Sequence, residues 1–270
     1  MPSLVGSEMC IRDRLIGFGM YTIILAILYF KQEALIFFPH KLSNDYIFND
    51  SNSEEIYISV EENVKIHGLL CKTTQESKGV VFYLHGNAGS LASWKEISST
   101  YTNLGYDIFL LDYRAYGKSE GKISSEQQFF SDVQKSYDVI KIRYPENKIT
   151  IIGYSIGTGS ASWLASKNSP KQLVLKAPYY SLVDLTKQIF PFIPSFVLKY
   201  KFETYKYLQK VKVPICIFHG ENDEVIYFES SIKLKKLFTA KDKFIPLPNQ
   251  SHNGINNNPL YLKELEKLLK

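Results

Sequence analysis

The five residues Gly153-Tyr154-Ser155-Ile156-Gly157 lie directly between an apolar, strand-like run, 148–152, and a run typical of a helix, 158–167. The chain therefore has to pass from strand to helix within a few residues, with a serine at the turn. Glycine suits both ends of such a turn, because a side chain there would crowd the crossing of strand and helix. This feature predicts a strand–turn–helix unit, the repeating unit of sheets whose parallel strands are covered by helices.

Strands and helices alternate along most of the chain after residue 55. Strands are predicted at 56–60, 64–72, 79–84, 107–112, 149–152, 173–176, 214–218 and 243–247, and helices at 91–104, 124–143, 158–167, 229–238 and 259–269. The first two strands flank a Glu61-Glu62-Asn63 turn and predict an antiparallel hairpin. The pattern predicts an α/β fold with a mainly parallel sheet, entered through this hairpin, in one domain spanning 55–270. The segment 178–209, which is rich in aromatic residues and contains several prolines, interrupts the alternation, and we expect it to form a small cap.

The N-terminal region divides into three parts. Residues 1–14 include Val5-Gly6-Ser7-Glu8-Met9-Cys10-Ile11-Arg12-Asp13, which resembles a translated sequencing-library adapter, so we expect an assembly scar and a natural chain that begins upstream of Leu15. Residues 15–30 are uncharged and mainly apolar, and their number is just under the roughly 17 to 25 that cross a bilayer. We interpret them as a single-pass membrane anchor, with a cleaved signal peptide or a buried or amphipathic helix as the alternatives. Residues 31–54 are expected to form a polar and aromatic linker.

Charge and composition argue against several classes of function. The net charge of +5 comes from lysines interleaved with acidic residues, which is typical of a solvated surface rather than of a nucleic-acid footprint. The three cysteines, at 10, 71 and 216, form neither a disulfide framework nor a zinc motif. No H-E-x-x-H, no Walker loop and no G-x-G-x-x-G after a first strand occurs, so we predict no metal and no cofactor.

A serine at a strand-to-helix turn is typical of a nucleophile elbow, and such a serine needs a histidine base oriented by an acid. In an open α/β sheet these residues lie just past the carboxyl ends of strands. Asp223 follows the strand that ends at residue 218, and His252 follows the strand that ends at residue 247. We therefore predict Ser155 as the nucleophile, His252 as the base and Asp223 as the orienting acid.

Other residues compete for these roles. Asp112, at the end of an earlier strand, and Asp184, early in the 178–209 segment, are the alternative acids. The remaining histidines are assigned to surface, packing or loop positions: His40, His67, His85 and His219. We expect His219 to anchor the turn that aims Asp223, and Glu224 to be a solvated neighbour of that acid.

An oxyanion would require two convergent backbone N–H donors. One is predicted at Ile156, immediately after the nucleophile. The other is expected from the loop after the strand at 79–84, which reads His85-Gly86-Asn87-Ala88-Gly89. We favour the N–H of Asn87 for this role, with Ala88 as the alternative.

These motifs together resemble a known family. Five motifs resemble those of the membrane-anchored bud-emergence type of α/β hydrolase. They are the loop 85–89, the run Asp112-Tyr113-Arg114-Ala115-Tyr116-Gly117-Lys118-Ser119-Glu120-Gly121, the elbow, His219-Gly220-x-x-Asp223-Glu224 and the His252 loop. The likeness extends from about residue 15 to the C-terminus and includes Phe37-Phe38-Pro39. Ala115 departs from it, since relatives usually carry Gly at that position. The resemblance implies an α/β-hydrolase fold and a serine hydrolase that acts on esters or thioesters.

The 178–209 segment bears on the substrate, because its position between a strand and the strand of the acid predicts a cap over Ser155. An apolar cap beside a membrane tether favours an acyl chain or another lipid-like substrate, whereas the simpler interpretation is that its aromatic side chains only pack it onto the domain. Two alternative functions remain open: a peptidase of the same fold, and a non-catalytic, membrane-tethered binding protein on a hydrolase scaffold.

Overall fold

The computed structural model describes residues 4–48 and 51–270. Residues 1–3 of the expected adapter segment, and residues 49 and 50 of the expected linker, lie outside the described residues.

The strands of the described chain form one large sheet and one small one. In chain order they are β1 Phe38–Pro39, β2 Ser53–Glu61, β3 Val64–Cys71, β4 Val80–Leu84, β5 Ala88–Gly89, β6 Asp107–Leu111, β7 Ile149–Tyr154, β8 Gln172–Lys176, β9 Ile215–Gly220 and β10 Lys243–Leu247. The large sheet has the order β2-β3-β6-β4-β7-β8-β9-β10. Its β2–β3 and β3–β6 pairs are antiparallel and its other pairs are parallel. The predicted α/β class, with a mainly parallel sheet entered through a hairpin, is confirmed.

The helices of the described chain also follow the predicted alternation. They are α1 Leu4–Phe30, α2 Gln32–Ile36, α3 Leu91–Trp94, α4 Ser98–Thr102, α5 Glu126–Arg143, α6 Gly157–Lys167, α7 Leu182–Ile189, α8 Thr204–Leu208, α9 Glu229–Lys235 and α10 Pro259–Leu269. One prediction was too simple, because the helix expected at 91–104 is divided into α3, a 3-10 turn at Lys95–Ile97, and α4. Serine and threonine are frequent in this stretch, and their hydroxyls compete with helical backbone hydrogen bonds.

Alternate side chains of the central strands enter two separate cores. In β4, Val80, Phe82 and Leu84 belong to one apolar cluster, whereas Val81 and Tyr83 belong to the other. Successive side chains of a strand point to opposite faces of the sheet. Both faces are therefore covered, which explains why the central strands are continuously apolar in sequence.

Residues 31–48, predicted as a linker, pack against the domain. Gln32, Phe37, Leu42 and Phe48 are buried. Strand β1 pairs in parallel with β5, which lies in the loop that follows β4. This N-terminal segment therefore supports the same loop that carries the predicted oxyanion donor.

Helix α1 precedes this segment and stands outside both cores. Its stretch Ile11–Phe30 is 20 residues long, is apolar enough to cross a membrane and contributes no buried residue. One face of the helix is nevertheless partly covered, at Tyr21, Leu25 and Leu28. These positions are three or four residues apart, so they lie on the same side of the helix.

The 178–209 segment connects β8 to β9 and contains α7, a 3-10 turn at Ser195–Val197, and α8. Helix α7 begins at Ser181, whose hydroxyl accepts a hydrogen bond from the N–H of Asp184 at 3.0 Å, as expected of an N-cap. Buried Tyr179, Tyr200 and Phe202 attach the segment to the core. We refer to residues 178–209 as the cap.

Candidate active site

The turn between β7 and α6 holds Ser155 in a strained conformation. The φ angle of this residue is +53°, in the left-handed region that is uncommon for residues other than glycine. Its N–H donates to the Lys176 carbonyl at 3.0 Å, which ties the turn to the neighbouring strand β8. Strain of this kind persists only where the surrounding structure enforces it, and it is common at functional sites.

The two flanking glycines allow strand and helix to approach closely. A Cβ on Gly157 would lie 2.3 Å from the Leu84 carbonyl oxygen, and a Cβ on Gly153 would lie 2.7 Å from the Ala161 Cβ. The first of these contacts involves backbone and cannot be relieved by a side-chain rotation. The elbow therefore requires glycine at 157 for packing, as its position in the sequence predicts.

The structure brings together the three residues predicted from separate strand ends. The Nε2 of His252 lies 3.0 Å from the Ser155 Oγ, and its Nδ1 lies 2.8 Å from Asp223 Oδ2. A carboxylate can only accept a hydrogen bond, so Nδ1 carries the ring proton and donates to Asp223. The Nε2 lone pair is then free to accept the serine proton.

Asp223 is held by donors from several directions. Its Oδ1 accepts the N–H groups of Val225 at 2.9 Å and Ile226 at 2.7 Å. Its Oδ2 lies 3.2 Å from Nε2 of His219, in addition to the contact with His252. Burial acts to raise the pKa of Asp223, but the hydrogen bonds from the two histidines outweigh burial and hold this pKa well below its ordinary value. The acid is therefore ionised across the neutral range.

The competing acids have other partners. Asp112 is fully buried, where its carboxylate lies 3.7 Å from His85 and 3.8 Å from His67 and accepts the N–H of Leu91 at 3.1 Å. Asp184 pairs with the ammonium of Lys233 at 2.8 Å. Neither contact set includes His252, so the geometry favours Asp223 among the three candidates.

His219 occupies the position expected of a turn anchor. Its ring is completely buried, with Nδ1 2.6 Å from the Ser231 hydroxyl and Nε2 2.8 Å from the Ile226 carbonyl. Because a carbonyl can only accept, Nε2 carries a proton, and that proton also faces Asp223. This histidine therefore links the acid to both the loop after it and helix α9.

Three contacts to His252, made by two residues, were not foreseen from the sequence. The Tyr154 ring stacks on the His252 ring, with centroids 5.6 Å apart and planes 20° apart, and its hydroxyl donates to the His252 carbonyl at 2.8 Å. Glu224, expected as a solvated neighbour, accepts the His252 N–H at 3.1 Å. The only hint of the Tyr154 contacts in the sequence was a tyrosine next to the serine in the G-x-S-x-G run. The fold is what brings the loop that carries His252 beside this tyrosine.

The loop after β4 is held in place on both sides of Asn87. Nδ1 of His85 lies 2.7 Å from the Gly86 carbonyl, and because that oxygen is an acceptor, Nδ1 must donate. In a trans peptide the N–H points away from the preceding carbonyl, so this bond orients the Asn87 N–H. The Asn87 carbonyl in turn accepts from the N–H of Phe38 at 2.8 Å and from the hydroxyl of Tyr116 at 2.5 Å.

A cavity of about 260 Å³ opens beside the serine. Ser155, Ile156 and Asn87 all contribute to its wall, so the hydroxyl and both residues predicted to donate to an oxyanion share one space. Most of the remaining wall is apolar and comes from α1, α2 and α7. Its contributors include Leu28, Leu35, Ile36, Leu182, Leu185 and Ile189.

The part of the chain that the structure describes contains no group of three or more histidine, cysteine, aspartate or glutamate side chains that could hold a metal ion.

Comparison with known proteins identifies sequence relatives. Residues 75–209, half of the chain, match the family model described as Serine aminopeptidase, S33. The chain is 28% identical to an uncharacterized protein of Acanthamoeba polyphaga mimivirus, over 82% of this chain and 81% of the relative. It is 30% identical to the lysophosphatidylserine lipase ABHD12 of Danio rerio, over 65% of this chain and 53% of the relative. Protein bem46 of Schizosaccharomyces pombe is 28% identical to it, over 74% of this chain and 71% of the relative.

Solved structures agree on the fold. An esterase of Pyrococcus furiosus superimposes with a TM-score of 0.67 at 20% identity, covering 87% of this chain and 95% of the esterase. An α/β hydrolase of Vibrio vulnificus gives a TM-score of 0.68 at 21% identity, covering 83% of each chain. The family match and the sequence relatives establish that the chain belongs to the α/β-hydrolase family, in its bud-emergence type, and that it is a hydrolase.

Proposed function

We propose that this chain is a serine hydrolase that cleaves the ester or thioester of a single-chain, lipid-like substrate next to a membrane. The observation that carries the proposal is the continuous set of contacts from Asp223 through His252 to Ser155, at 2.8 and 3.0 Å. Ser155, at the end of this set, lies in the wall of the same cavity as Ile156 and Asn87. Nucleophile, base, orienting acid and oxyanion donors are the four parts that acyl transfer requires.

The reaction proceeds in two halves. His252 Nε2 takes the proton of Ser155 Oγ as that oxygen bonds to the carbonyl carbon, and the carbonyl oxygen becomes an oxyanion held by the N–H groups of Ile156 and Asn87. The intermediate collapses, the bond to the leaving oxygen or sulfur breaks, and the imidazolium returns its proton to the departing alcohol or thiol. Water, deprotonated by the same nitrogen, then releases the acid and restores the serine.

The cavity supports an acyl chain as the group that is bound. Its apolar wall offers contacts to methylene groups, each of which contributes about 0.8 kcal/mol when it is transferred from water. The volume of about 260 Å³ is just below the range of about 300–1,000 Å³ typical of small-molecule sites, so it suits one chain rather than two. The name of the lipase relative from Danio rerio agrees with this choice of substrate class.

The same wall argues against an aminopeptidase, although the family model carries that description. A free α-amino group in the substrate calls for a carboxylate near the scissile bond, because a buried ammonium needs a partner. Among the described residues that line the cavity, the polar side chains are neutral, as at Gln32, Thr186 and Tyr200, and no aspartate or glutamate occurs.

Helix α1 supplies the reason for assigning the reaction to a membrane. The predicted anchor, residues 15–30, lies within Ile11–Phe30, a stretch long and apolar enough to span a bilayer, and it leaves large side chains such as Phe18 and Ile23 exposed. A soluble protein seldom exposes an apolar patch of this extent. We assign α1 as a single-pass anchor that keeps the domain at the surface from which its substrate comes.

A fluorophosphonate probe tests the chemistry directly. We expect the wild type to be labelled and Ser155→Ala to be unlabelled, with ester turnover reduced by at least about 1,000-fold. Ser166→Ala is the matched control, since this serine lies in the same helix α6 and its hydroxyl donates to the Trp163 carbonyl of that helix. An unlabelled wild type would contradict the hydrolase mechanism and favour a binding protein on the same scaffold.

A series of p-nitrophenyl esters from acetate to palmitate tests the substrate class. We expect activity to rise with chain length, and Leu185→Phe, which reduces the volume of the cavity, to move the optimum to shorter chains. Leu262→Phe, on the outer side of α10, should leave the profile unchanged. Best turnover of acetate together with no turnover of long chains would refute the assignment to acyl chains.

A further inference from the structure

The cap carries an uncharged aromatic tip on the same side of the molecule as the anchor. Residues 189–196 read Ile-Phe-Pro-Phe-Ile-Pro-Ser-Phe, with no charged side chain. Three of the phenylalanines are exposed, by 48% at Phe190, 64% at Phe192 and 78% at Phe196. Exposed side chains of this size, next to each other, mark a surface that contacts something apolar.

The tip is joined to α1 well inside the apolar stretch of that helix. The hydroxyl of Tyr21 donates to the Phe192 carbonyl at 2.7 Å. Tyr21 precedes the end of the helix at Phe30 by nine residues, or about 13 Å at 1.5 Å per residue. A bilayer core is about 30 Å thick, so if Phe30 lies at its boundary, the tip reaches almost to the middle of the membrane.

Several backbone groups of the tip have partners or need none, which suits surroundings where an unsatisfied N–H or C=O is costly. Pro191 and Pro194 have no N–H to satisfy. Phe190 and Ile193 donate within the cap, to the carbonyls of Thr186 at 2.7 Å and Phe190 at 3.0 Å. The Phe192 carbonyl is the one that Tyr21 satisfies.

Polar contacts between helix and cap begin at the end of the anchor. Gln32 donates to the Val197 carbonyl at 3.2 Å and accepts from the N–H of Lys199 at 2.8 Å. Glu33 forms an ion pair with Lys199 at 3.0 Å. The change from the uncharged contact at Tyr21 to this charged cluster marks the level at which the membrane ends.

We propose that the cap tip enters the same leaflet as α1, and that the substrate moves sideways from that leaflet into the cavity between helix and cap. This inference rests on the proposed function for the identity of the substrate. Its geometric basis is that Leu28 and Leu35 on one side, and Ile189 and Phe190 on the other, line the cavity that contains Ser155. On this route an acyl chain passes from the bilayer to the serine mainly against apolar side chains, which avoids the cost of crossing water.

Fluorescence quenching by brominated phospholipids locates the tip. The full chain is reconstituted in phosphatidylcholine vesicles, and the emission of Phe192→Trp is compared with that of Ile24→Trp in α1 and Ile142→Trp, an exposed residue of α5. The wild type, with its own Trp94 and Trp163, gives the background. We expect lipids brominated in the acyl chain to quench the first two variants equally and the third not at all. Quenching of Ile24→Trp without Phe192→Trp, or of neither, would overturn the inference.

A kinetic comparison tests the entry route. The double variant Phe192→Ser with Phe196→Ser should turn over a water-soluble short-chain ester within about two-fold of wild type. Its hydrolysis of oleoyl lysophosphatidylserine in vesicles should fall at least ten-fold, whereas Ile142→Ser should match wild type on both substrates. If the double variant and the wild type hydrolysed the lipid in vesicles at equal rates, lateral entry would be contradicted. A wild type inactive on both substrates would refute the proposed function instead, and the quenching result would still locate the tip.

Discussion

Ser155 has a strained backbone, and its N–H and its hydroxyl both have hydrogen-bond partners. Its φ of +53° is maintained by the hydrogen bond to β8 and by the close packing of Gly157 on Leu84. An alanine at 157 would have to displace a main-chain carbonyl of β4. The serine conformation therefore depends on contacts from two neighbouring strands, and the local sequence alone could not maintain it.

Tyr154 contacts His252 through both its ring and its hydroxyl, and in the proposed reaction it is a positioning residue. Tyr154→Phe keeps the ring that stacks on the imidazole but removes the donor to the His252 carbonyl. A hydrogen bond of this type contributes about 0.5–1.5 kcal/mol, so we expect kcat to fall by about two- to ten-fold with KM unchanged.

The control for this change is Tyr106→Phe. Its buried hydroxyl also donates to a carbonyl, that of Leu269 at 2.7 Å, and in addition accepts from the Lys171 ammonium at 2.9 Å. A similar loss of stability without a change in kcat is expected there. Equal effects of both variants on kcat would show that Tyr154 contributes only to stability.

Among the elements, the junction between the N-terminal helices and the cap depends on one buried amide. Gln32 is 4% exposed, and its side chain bonds to Val197, Lys199 and Tyr200 at 3.2, 2.8 and 3.2 Å. Three backbone groups of the cap therefore have their partner on α2. Loss of this amide would leave them unsatisfied in a buried position.

We expect Gln32→Ala to loosen the cap while the sheet remains intact. An unsatisfied buried donor or acceptor costs about 1–3 kcal/mol, so amide hydrogen exchange should accelerate at least ten-fold in residues 195–200 and remain unchanged in β7. Gln188→Ala, at an exposed position of α7, is the matched control. Unchanged exchange in both variants would show that the apolar contacts alone hold the cap.

For the whole molecule, residues 31–48 connect the membrane side to the proposed oxyanion loop. Phe37, Leu42 and Phe48 are buried, and the N–H groups of Phe38 and His40 donate to Asn87 and Gly89 at 2.8 and 2.9 Å. The segment is thus part of the domain in packing and in hydrogen bonding. Its removal should affect the stability of the domain, whereas removal of α1 should affect its attachment to lipid.

Two truncations separate these roles. A chain starting at Lys31 should fold, retain turnover of a short soluble ester and bind vesicles more weakly than the full chain, because only the cap tip is left to enter the bilayer. A chain starting at Ser51 should unfold at a lower denaturant concentration and lose ester turnover, because the loop at 85–89 has lost its support. Three measurements are needed: circular dichroism during denaturation for stability, flotation with vesicles for lipid binding, and ester turnover for activity. Equal stability of the two truncated chains would show that 31–48 is dispensable.

Much of the fold was predictable from residue patterns, because apolar strands buried on both faces and helices with one apolar face have distinct periodicities. Strand β10 was predicted to the residue, and α10 likewise. The division of 91–104 into two short helices was missed, since the competition between hydroxyls and helical hydrogen bonds is decided by the packing around them. The burial of 31–48 was missed because its apolar residues, Phe37, Leu42 and Phe48, follow no regular spacing.

The sequence by itself determined the α/β class, the serine at its elbow and the order in which acid and histidine follow it, because these depend on local patterns and on the rule that sites form at strand ends. Only the tertiary structure decided that Tyr154 and Glu224 contact the histidine, and that α1 contributes Leu28 to the wall of the cavity. Contacts that depend on the tertiary structure join residues up to about 170 positions apart, as between Tyr21 and Phe192. No local pattern encodes such a distance, because it follows from how the completed elements pack against one another.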